Sequence, residues 1–356
     1  MNLLENLGFG PFWDDCDIEN DFIPARVVGH EHHTYQVQGT FGRLSATISG
    51  RFEFTVADEA DYPCIGDFVM IRKIDTEKSI IERVLKRQSF LARHAATDSS
   101  KTMQLIATNV DLVLIVQSCN RDFNLRRMER YLLQARAGGA TPIIVLNKAD
   151  LTDSPEEFLE QIPREWETDV ISLSALSGQG ATEVLEKIAT GITAVVVGSS
   201  GVGKSTLINR LLGEDAAKTS EIREQDARGR HTTTSKSFYQ IEGGGMIIDT
   251  PGMREFGLID SNISESILFE DIIALEKNCK YRNCSHEGEA GCSIQLAIES
   301  ETLDNKRLDS FNKLKREEAY MNRGTDKLSK MKTKKKWKKF AKAIRTNTKI
   351  NKRNWN

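Results

Sequence analysis

No part of this 356-residue chain stays apolar for long. The longest run without a charge, Ile188–Gly203, is broken by glycine and serine and falls short of the ~20 apolar residues that a membrane-spanning helix needs. No membrane association is expected. Lys and Arg are missing from Met1–Asp15, so the basic start of a secretory leader is lacking and the cytoplasm is the expected compartment. Proline is scarce, at 7 residues, and no repeat is visible, which excludes a collagenous chain. With 39% hydrophobic and 28% charged residues, the composition is that of a folded globular protein, and the length points to several domains in series.

Acids are missing from Lys327–Asn356, which holds 13 of the 49 Lys and Arg, so a body of about -15 carries a +13 tail. Such a separation suits a polyanion, because each cation set against a phosphate releases counterions. Cysteine is also sparse, and three of the 6, Cys279, Cys284 and Cys292, fall close together. In a reducing compartment that clustering implies metal rather than disulfides. Cys16, Cys64 and Cys119 are expected to pack as small apolar residues.

Between Pro24 and Leu91, short β-rich runs at Ala25–Val28, Thr34–Val37, Leu44–Ile48, Phe68–Ile74 and Ile80–Leu85 alternate with turn residues, the pattern of a small all-β barrel. His30, His32 and His33 near one turn are expected to be solvated. A polar stretch, His94–Ser100, reads as a linker. Beyond it, β-branched runs at Asp111–Gln117, Pro142–Leu146, Val170–Leu173, Thr193–Val197 and Met246–Ile248 predict a mostly parallel sheet buried on both faces. Leu125, Met128, Leu132 and Ala135 predict a helix capped by Asn124 and ended at Gly138-Gly139. Further helices are expected over Glu301–Met321 and Lys327–Ile344.

Gly198-Ser199-Ser200-Gly201-Val202-Gly203-Lys204-Ser205-Thr206 follows an apolar strand and opens a helix, the context of a phosphate-binding loop. Its backbone N–H groups can surround phosphate oxygens, Lys204 can place a charge on the β and γ phosphates, and Ser205 can ligate Mg²⁺. Asn147-Lys148-Ala149-Asp150 ends another strand. There the Asp150 carboxylate can accept from guanine N1–H and the 2-amino group, whereas adenine would leave it unpaired, at a cost of about 1–3 kcal/mol. Ser174-Ala175-Leu176 after the next strand can donate from its backbone to guanine O6. Asp249-Thr250-Pro251-Gly252 ends a fifth strand, with Asp249 placed to hold Mg²⁺ through water and the Gly252 N–H to sense a γ-phosphate. The loop Gly229-Arg230-His231-Thr232-Thr233-Thr234 can supply one threonine to Mg²⁺; Thr233 is the expected ligand. These features predict binding of GTP and GDP with Mg²⁺. Their order along the chain is a circular permutation of that in ordinary small GTPases, and it leads Gly252 directly into the carboxyl-terminal segment.

Cys279, Cys284, His286 and Cys292 supply three thiolates and one imidazole, a closed tetrahedral set for one structural Zn²⁺. Where many GTPases carry a glutamine after Gly252, this chain has Met253, which cannot orient water, so slow intrinsic hydrolysis is expected.

Barrel, permuted block and cysteine cluster together resemble the ribosome small subunit-dependent GTPase A (RsgA) family over residues 22–320. The resemblance implies an oligonucleotide-binding (OB) barrel at 22–91, a circularly permuted P-loop GTPase domain at 101–260, a zinc-binding, mainly helical domain at 261–325 and a basic tail at 326–356. It also implies a GTP hydrolase that binds the 30S subunit and 16S rRNA during late maturation, acting as a monomer, with hydrolysis stimulated by the subunit and coupled to release. His231 then becomes a candidate for orienting the catalytic water, although a packing or RNA-binding role fits its position too. The tail could run Trp337, Phe340 and Ile344 along one side of a helix against rRNA. The competing reading is an RNA-binding scaffold in which nucleotide is structural and not turned over.

Overall fold

Alternate burial shapes the first domain. In strand β2 (Thr34–Gly39), Tyr35 and Val37 are buried while their neighbours are half-exposed. The same rule in β1 (Ile23–Glu31), β3 (Gly42–Ile48), β4 (Phe68–Lys73) and β5 (Lys78–Val84) directs Ala25, Val27, Leu44, Ala46, Val69, Ile71 and Ile81 into one core. The strands close into a barrel in the order β1-β2-β3-β5-β4, with β3 and β5 parallel and β4 returning antiparallel to β1. That is the five-stranded Greek-key closure of OB barrels. The structure is a computed structural model and describes residues 3–13, 22–31, 34–56, 59–94, 103–213, 237–250, 269–281, 284–286, 289–300, 302–305, 307–309, 311–312 and 315. The chain divides into two compact units, residues 1–94 with 103–264, and residues 95–102 with 265–356.

Two short helices accompany the barrel, α1 (Leu3–Asn6) and α2 (Gly50–Thr55), the latter capped where Ser49 Oγ accepts from the Phe52 N–H. Strands β6 (Phe90–His94) and β7 (Met103–Thr108) then pair antiparallel, with His94 opposite Met103. The polar stretch expected to be a linker begins at the last residue of β6, and residues 95–102 lie outside the described residues. His30 is exposed as expected, but it stacks on Tyr35 with centroids 4.4 Å apart. Cys16, His32 and His33 lie outside the described residues.

Among the described residues, the second domain is built on a six-stranded sheet. It follows the order β10-β9-β8-β11-β13-β12 and comprises β8 (Leu112–Ser118), β9 (Thr141–Asn147), β10 (Asp169–Ser172), β11 (Thr193–Val197), β12 (Ser237–Gln240) and β13 (Met246–Asp249). All pairings are parallel except that of edge strand β12 with β13. Helix α3 (Leu125–Ala137) packs over β8 and β9, and the Asn124 side chain accepts from Arg127 N–H at its start as the sequence predicts. After α4 (Glu156–Glu160), helices α5 (Ala181–Lys187) and α6 (Lys204–Leu212) bring Val184, Leu207, Ile208 and Leu211 onto Val116, Val145, Ile171, Val196 and Ile247. The short stretch from Ile188 to Ile192 joins α5 to β11, and its carbonyls accept from Gly245 and Met246, so the permuted connection is tied into the sheet.

In the second unit, α7 (Glu270–Lys277) and α8 (Ser293–Glu299) flank the cysteine cluster, and Phe269 packs on Phe311 with centroids 5.2 Å apart. The tail from Lys327 lies outside the described residues.

Barrel and sheet meet at Arg26, whose side chain is 1% exposed. Its Nε donates to Gly66 O at 3.2 Å, Nη2 to Asn109 O at 2.9 Å, and Nη1 to Leu7 O and to Met246 Sδ. The guanidinium also sits over the rings of Phe68 and Phe238, at 4.9 and 5.3 Å. Burial pushes its pKa down to about 10, the charges of Asp111 and Asp67 opposing the fall, so it remains a cation at neutral pH. Arg26→Ala would leave three buried carbonyls without this donor. We expect it to lower the free energy of urea unfolding by about 3 kcal/mol. A loss below about 1 kcal/mol would show that the carbonyls find other donors.

Candidate nucleotide site and metal centre

In a parallel sheet every strand delivers its following loop to the same edge, and ligands bind outside those carboxyl ends. Here β9, β10, β11 and β13 deliver Asn147–Asp150, Ser174–Leu176, Gly198–Lys204 and Asp249–Thr250 to that edge. Separate motifs in the sequence therefore become neighbours. Asn147, 2% exposed, joins three of them. Its Nδ2 donates to Val202 O at 2.9 Å, and its Oδ1 accepts from Ala175 N–H at 2.9 Å. Lys148 takes the left-handed region at φ 63° and extends Nζ to Gly201 O at 2.7 Å, while Ala149 N–H donates to Leu173 O at 3.1 Å. Asp150 is exposed, and its charge acts on the thiol of Cys119, whose pKa is raised by burial first and by Asp150 second.

Two glycines of the phosphate loop are required by close approach. A Cβ on Gly198 would stand 2.4 Å from Val116 O, and one on Gly203, at φ 96°, would stand 2.3 Å from Asn147 Nδ2. Gly203 directly precedes α6, so the positive end of that helix opens where the loop closes. Lys204 Nζ donates to Gly198 O at 2.9 Å and to Ser199 O at 2.6 Å, placing its charge at the loop mouth. Burial lowers its pKa, and Asp249 and Asp122 hold it up. Burial raises the Asp249 pKa in turn, with Lys204 the chief opposing influence. The two are thus a partly buried pair beside the loop. Ser200, Gly201, Ser205 and Thr206 are exposed there, open to a ligand. Thr250, 3% exposed, has a hydroxyl with no partner among the described residues.

Asp122 is a residue the motifs did not reveal. Its carboxylate accepts from Ser199 Oγ and, at 2.9 Å, from Arg127 Nη2. Asp122 follows β8 and Ser199 follows β11, strands that pair in parallel. Only the strand order brings them together, and no local pattern marks the pair. His231, Thr232, Thr233, Thr234, Gly252 and Met253 lie outside the described residues.

In the second unit, the ligand atoms of Cys279, Cys284, His286 and Cys292 all lie within 4.8 Å of one another. His286 Nδ1 is 3.7 Å from Cys279 Sγ and 3.5 Å from Cys292 Sγ, and the two sulfurs are 4.0 Å apart. A tetrahedral Zn²⁺ with Zn–S of ~2.3 Å requires S···S edges near ~3.8 Å, so the donor set fits this ion. The cluster has the other mark of a metal site, since His286 Nε2 faces Glu276 Oε1 at 3.4 Å and Lys315 holds that carboxylate at 2.9 Å. Desolvation, together with the thiols of Cys292 and Cys279, pushes the Cys284 thiol up to about 11, against the backbone N–H of His286, which lowers it.

The RsgA GTPase family profile matches residues 84–259. Among curated relatives, a protein of Lactiplantibacillus plantarum named small ribosomal subunit biogenesis GTPase RsgA 2 is 42% identical over 307 residues, covering 86% of each chain. Among solved structures, YjeQ from Thermotoga maritima aligns with a TM-score of 0.60 at 23% identity, over 84% of this chain and 99% of its own. YloQ, described as a circularly permuted GTPase, aligns with a TM-score of 0.57 at 20% identity, over 87% of this chain and 98% of its own. These two likenesses are of fold.

Because Asn147 satisfies a carbonyl of one loop and an N–H of another, Asn147→Ala leaves both without their buried partner. We expect a loss of at least about tenfold in GDP affinity by calorimetry, together with a lower melting temperature. An unchanged affinity would mean that the loops hold their positions without the amide.

Proposed function

Starting from the premise that the chain belongs to the RsgA GTPase family and is a GTP hydrolase, we propose that it works in the cytoplasm on the small ribosomal subunit, binding the 30S particle and its 16S rRNA late in maturation. The observation that carries this reading is the joining of phosphate loop, Asn147–Asp150 loop and Ser174–Leu176 loop through Asn147 at one sheet edge, in a chain whose 42%-identical relative bears a small-subunit biogenesis name. Among the described residues no helix is long and apolar enough to cross a membrane.

In this reading Asp150 accepts from guanine N1–H and the 2-amino group, and the Ser174–Leu176 backbone donates to O6. Gly198–Thr206 surrounds the phosphates, and Lys204 neutralises charge on the β and γ groups. A bound Mg²⁺ would neutralise phosphate charge further, held by Ser205 and Thr233, with Asp249 acting through water. His231 orients the attacking water when the particle is bound, and Gly252 senses the γ-phosphate. Hydrolysis relaxes the loops around Thr233 and Gly252 and lowers affinity for the matured subunit, so the two nucleotide states must bind the particle with different strength. Zn²⁺ at Cys279, Cys284, His286 and Cys292 is structural: four protein ligands leave no open position. The OB barrel and the basic tail offer two surfaces for rRNA phosphate and bases, and the protein acts as a monomer.

Steady-state phosphate release from GTP, with and without purified 30S subunits, tests the reading. We expect stimulation by the particle, poor competition by ATP, loss of turnover in Lys204→Ala, and loss of stimulation with retained nucleotide binding in His231→Ala. GTP binding without stimulated release would favour the scaffold reading instead. For the metal, we expect one zinc per chain, released by chelators together with unfolding of the second unit, and weaker retention in Cys284→Ser. Full secondary structure in the metal-free protein would count against a structural role.

A further inference from the structure

The Ser174–Leu176 loop is held from behind by a side chain of the phosphate-loop helix. Arg210 on α6 donates from Nε to Ala175 O at 3.2 Å and from Nη2 to Leu176 O at 2.6 Å. Its guanidinium lies against Gly178, about where a Cβ there would make contact at 3.5 Å. The loop is otherwise closed on itself. Gly178 N–H donates to Ser174 O at 2.8 Å, Ser177 N–H to Ser174 Oγ at 3.2 Å, and Ser174 N–H to Gln179 O at 3.0 Å. Ala175 N–H is taken by Asn147 Oδ1. Leu176 N–H is then the donor in this stretch with no acceptor among the described residues, and the residue that carries it is 74% exposed.

A trans peptide points its C=O and its N–H in opposite directions. All the described peptide bonds are trans. When Arg210 draws Ala175 O toward α6, it therefore turns the Leu176 N–H away from that guanidinium. We propose that Arg210 is a positioning residue for base selectivity: by gripping the carbonyls of Ala175 and Leu176 it aims the Leu176 N–H at the 6-position of the purine, where guanine offers an oxygen acceptor and adenine an amino donor. This rests on the guanine site proposed above. A planar fork suits the task, since one guanidinium reaches two successive carbonyls at once, which a lysine ammonium on a flexible stem does less well. It also joins the two halves of the ligand. The helix that begins beneath the phosphates ends by holding the loop for the base.

The test measures GDP and 6-thioguanosine diphosphate binding by calorimetry with the full-length protein, its Arg210→Ala and Arg210→Lys variants, and Asp150→Asn. The thio analogue keeps N1–H and the 2-amino group but replaces the oxygen by a poor acceptor. We expect Arg210→Ala to weaken GDP about fivefold to tenfold, the size of one lost hydrogen bond, while the thio analogue changes less than about twofold. Arg210→Lys should fall between. Arg210 is exposed, so its replacement disturbs no core, and retained binding of the thio analogue reports a folded site. Equal weakening of both nucleotides, or none of either, overturns the role of Arg210. Asp150→Asn is expected to move preference from GDP to xanthosine diphosphate. If that switch fails, the guanine site is wrongly placed and the Arg210 proposal falls with it, whereas a successful switch beside an inert Arg210→Ala overturns Arg210 alone.

Discussion

One buried amide holds the loops at the carboxyl edge of the sheet together. Asn147 offers a donor and an acceptor on the same planar group, and the fold uses both, one for the carbonyl of Val202 and the other for the N–H of Ala175. Few side chains could serve there, because a carboxylate lacks the donor and an ammonium the acceptor. The glycine at 203 follows from the same contact, since its missing Cβ makes room for the Asn147 amide. Lys148 then passes over Gly201, and Asp150 is left at the exposed end of the motif. The geometry of three loops is thus set by one residue whose own backbone is anchored in β9.

A parallel sheet makes the permutation tolerable. Its active edge is defined by the carboxyl ends of the strands and not by the sequence in which the chain visits them. Rejoining α5 to β11 through Ile188–Ile192 keeps each loop at its position, while the barrel gains an entrance before β8 and the second unit an exit after β13. Among the described residues, the strand that ends at Asp249 is therefore the last of the sheet along the chain.

Much of this was legible in the sequence because the signals were local. β-branched runs marked the buried strands of the sheet, alternation marked the barrel, and Asn124 marked the start of α3 within a residue. Four ligands with metal spacing marked the cluster that the structure gathers within 4.8 Å. The features that sequence conceals are either short or remote. Edge strand β12 spans only Ser237–Gln240, and the paired strands β6 and β7 are short. Asp122 and Ser199 stand 77 positions apart, and Arg210 stands 34 and 35 positions from the carbonyls it holds. Such pairs depend on strand order, which no window of sequence contains.

The guanidinium of Arg26 belongs by sequence to the barrel, yet it is enclosed by atoms of the amino-terminal segment, the barrel and the last strands of the sheet. A contact of that kind restricts how the gene can be rearranged. Recombination that exchanged the barrel for another fold would strip Asn109 and Met246 of their buried partner and leave a hole between Phe68 and Phe238. Either fold exchanged alone would thus carry the cost of that broken contact.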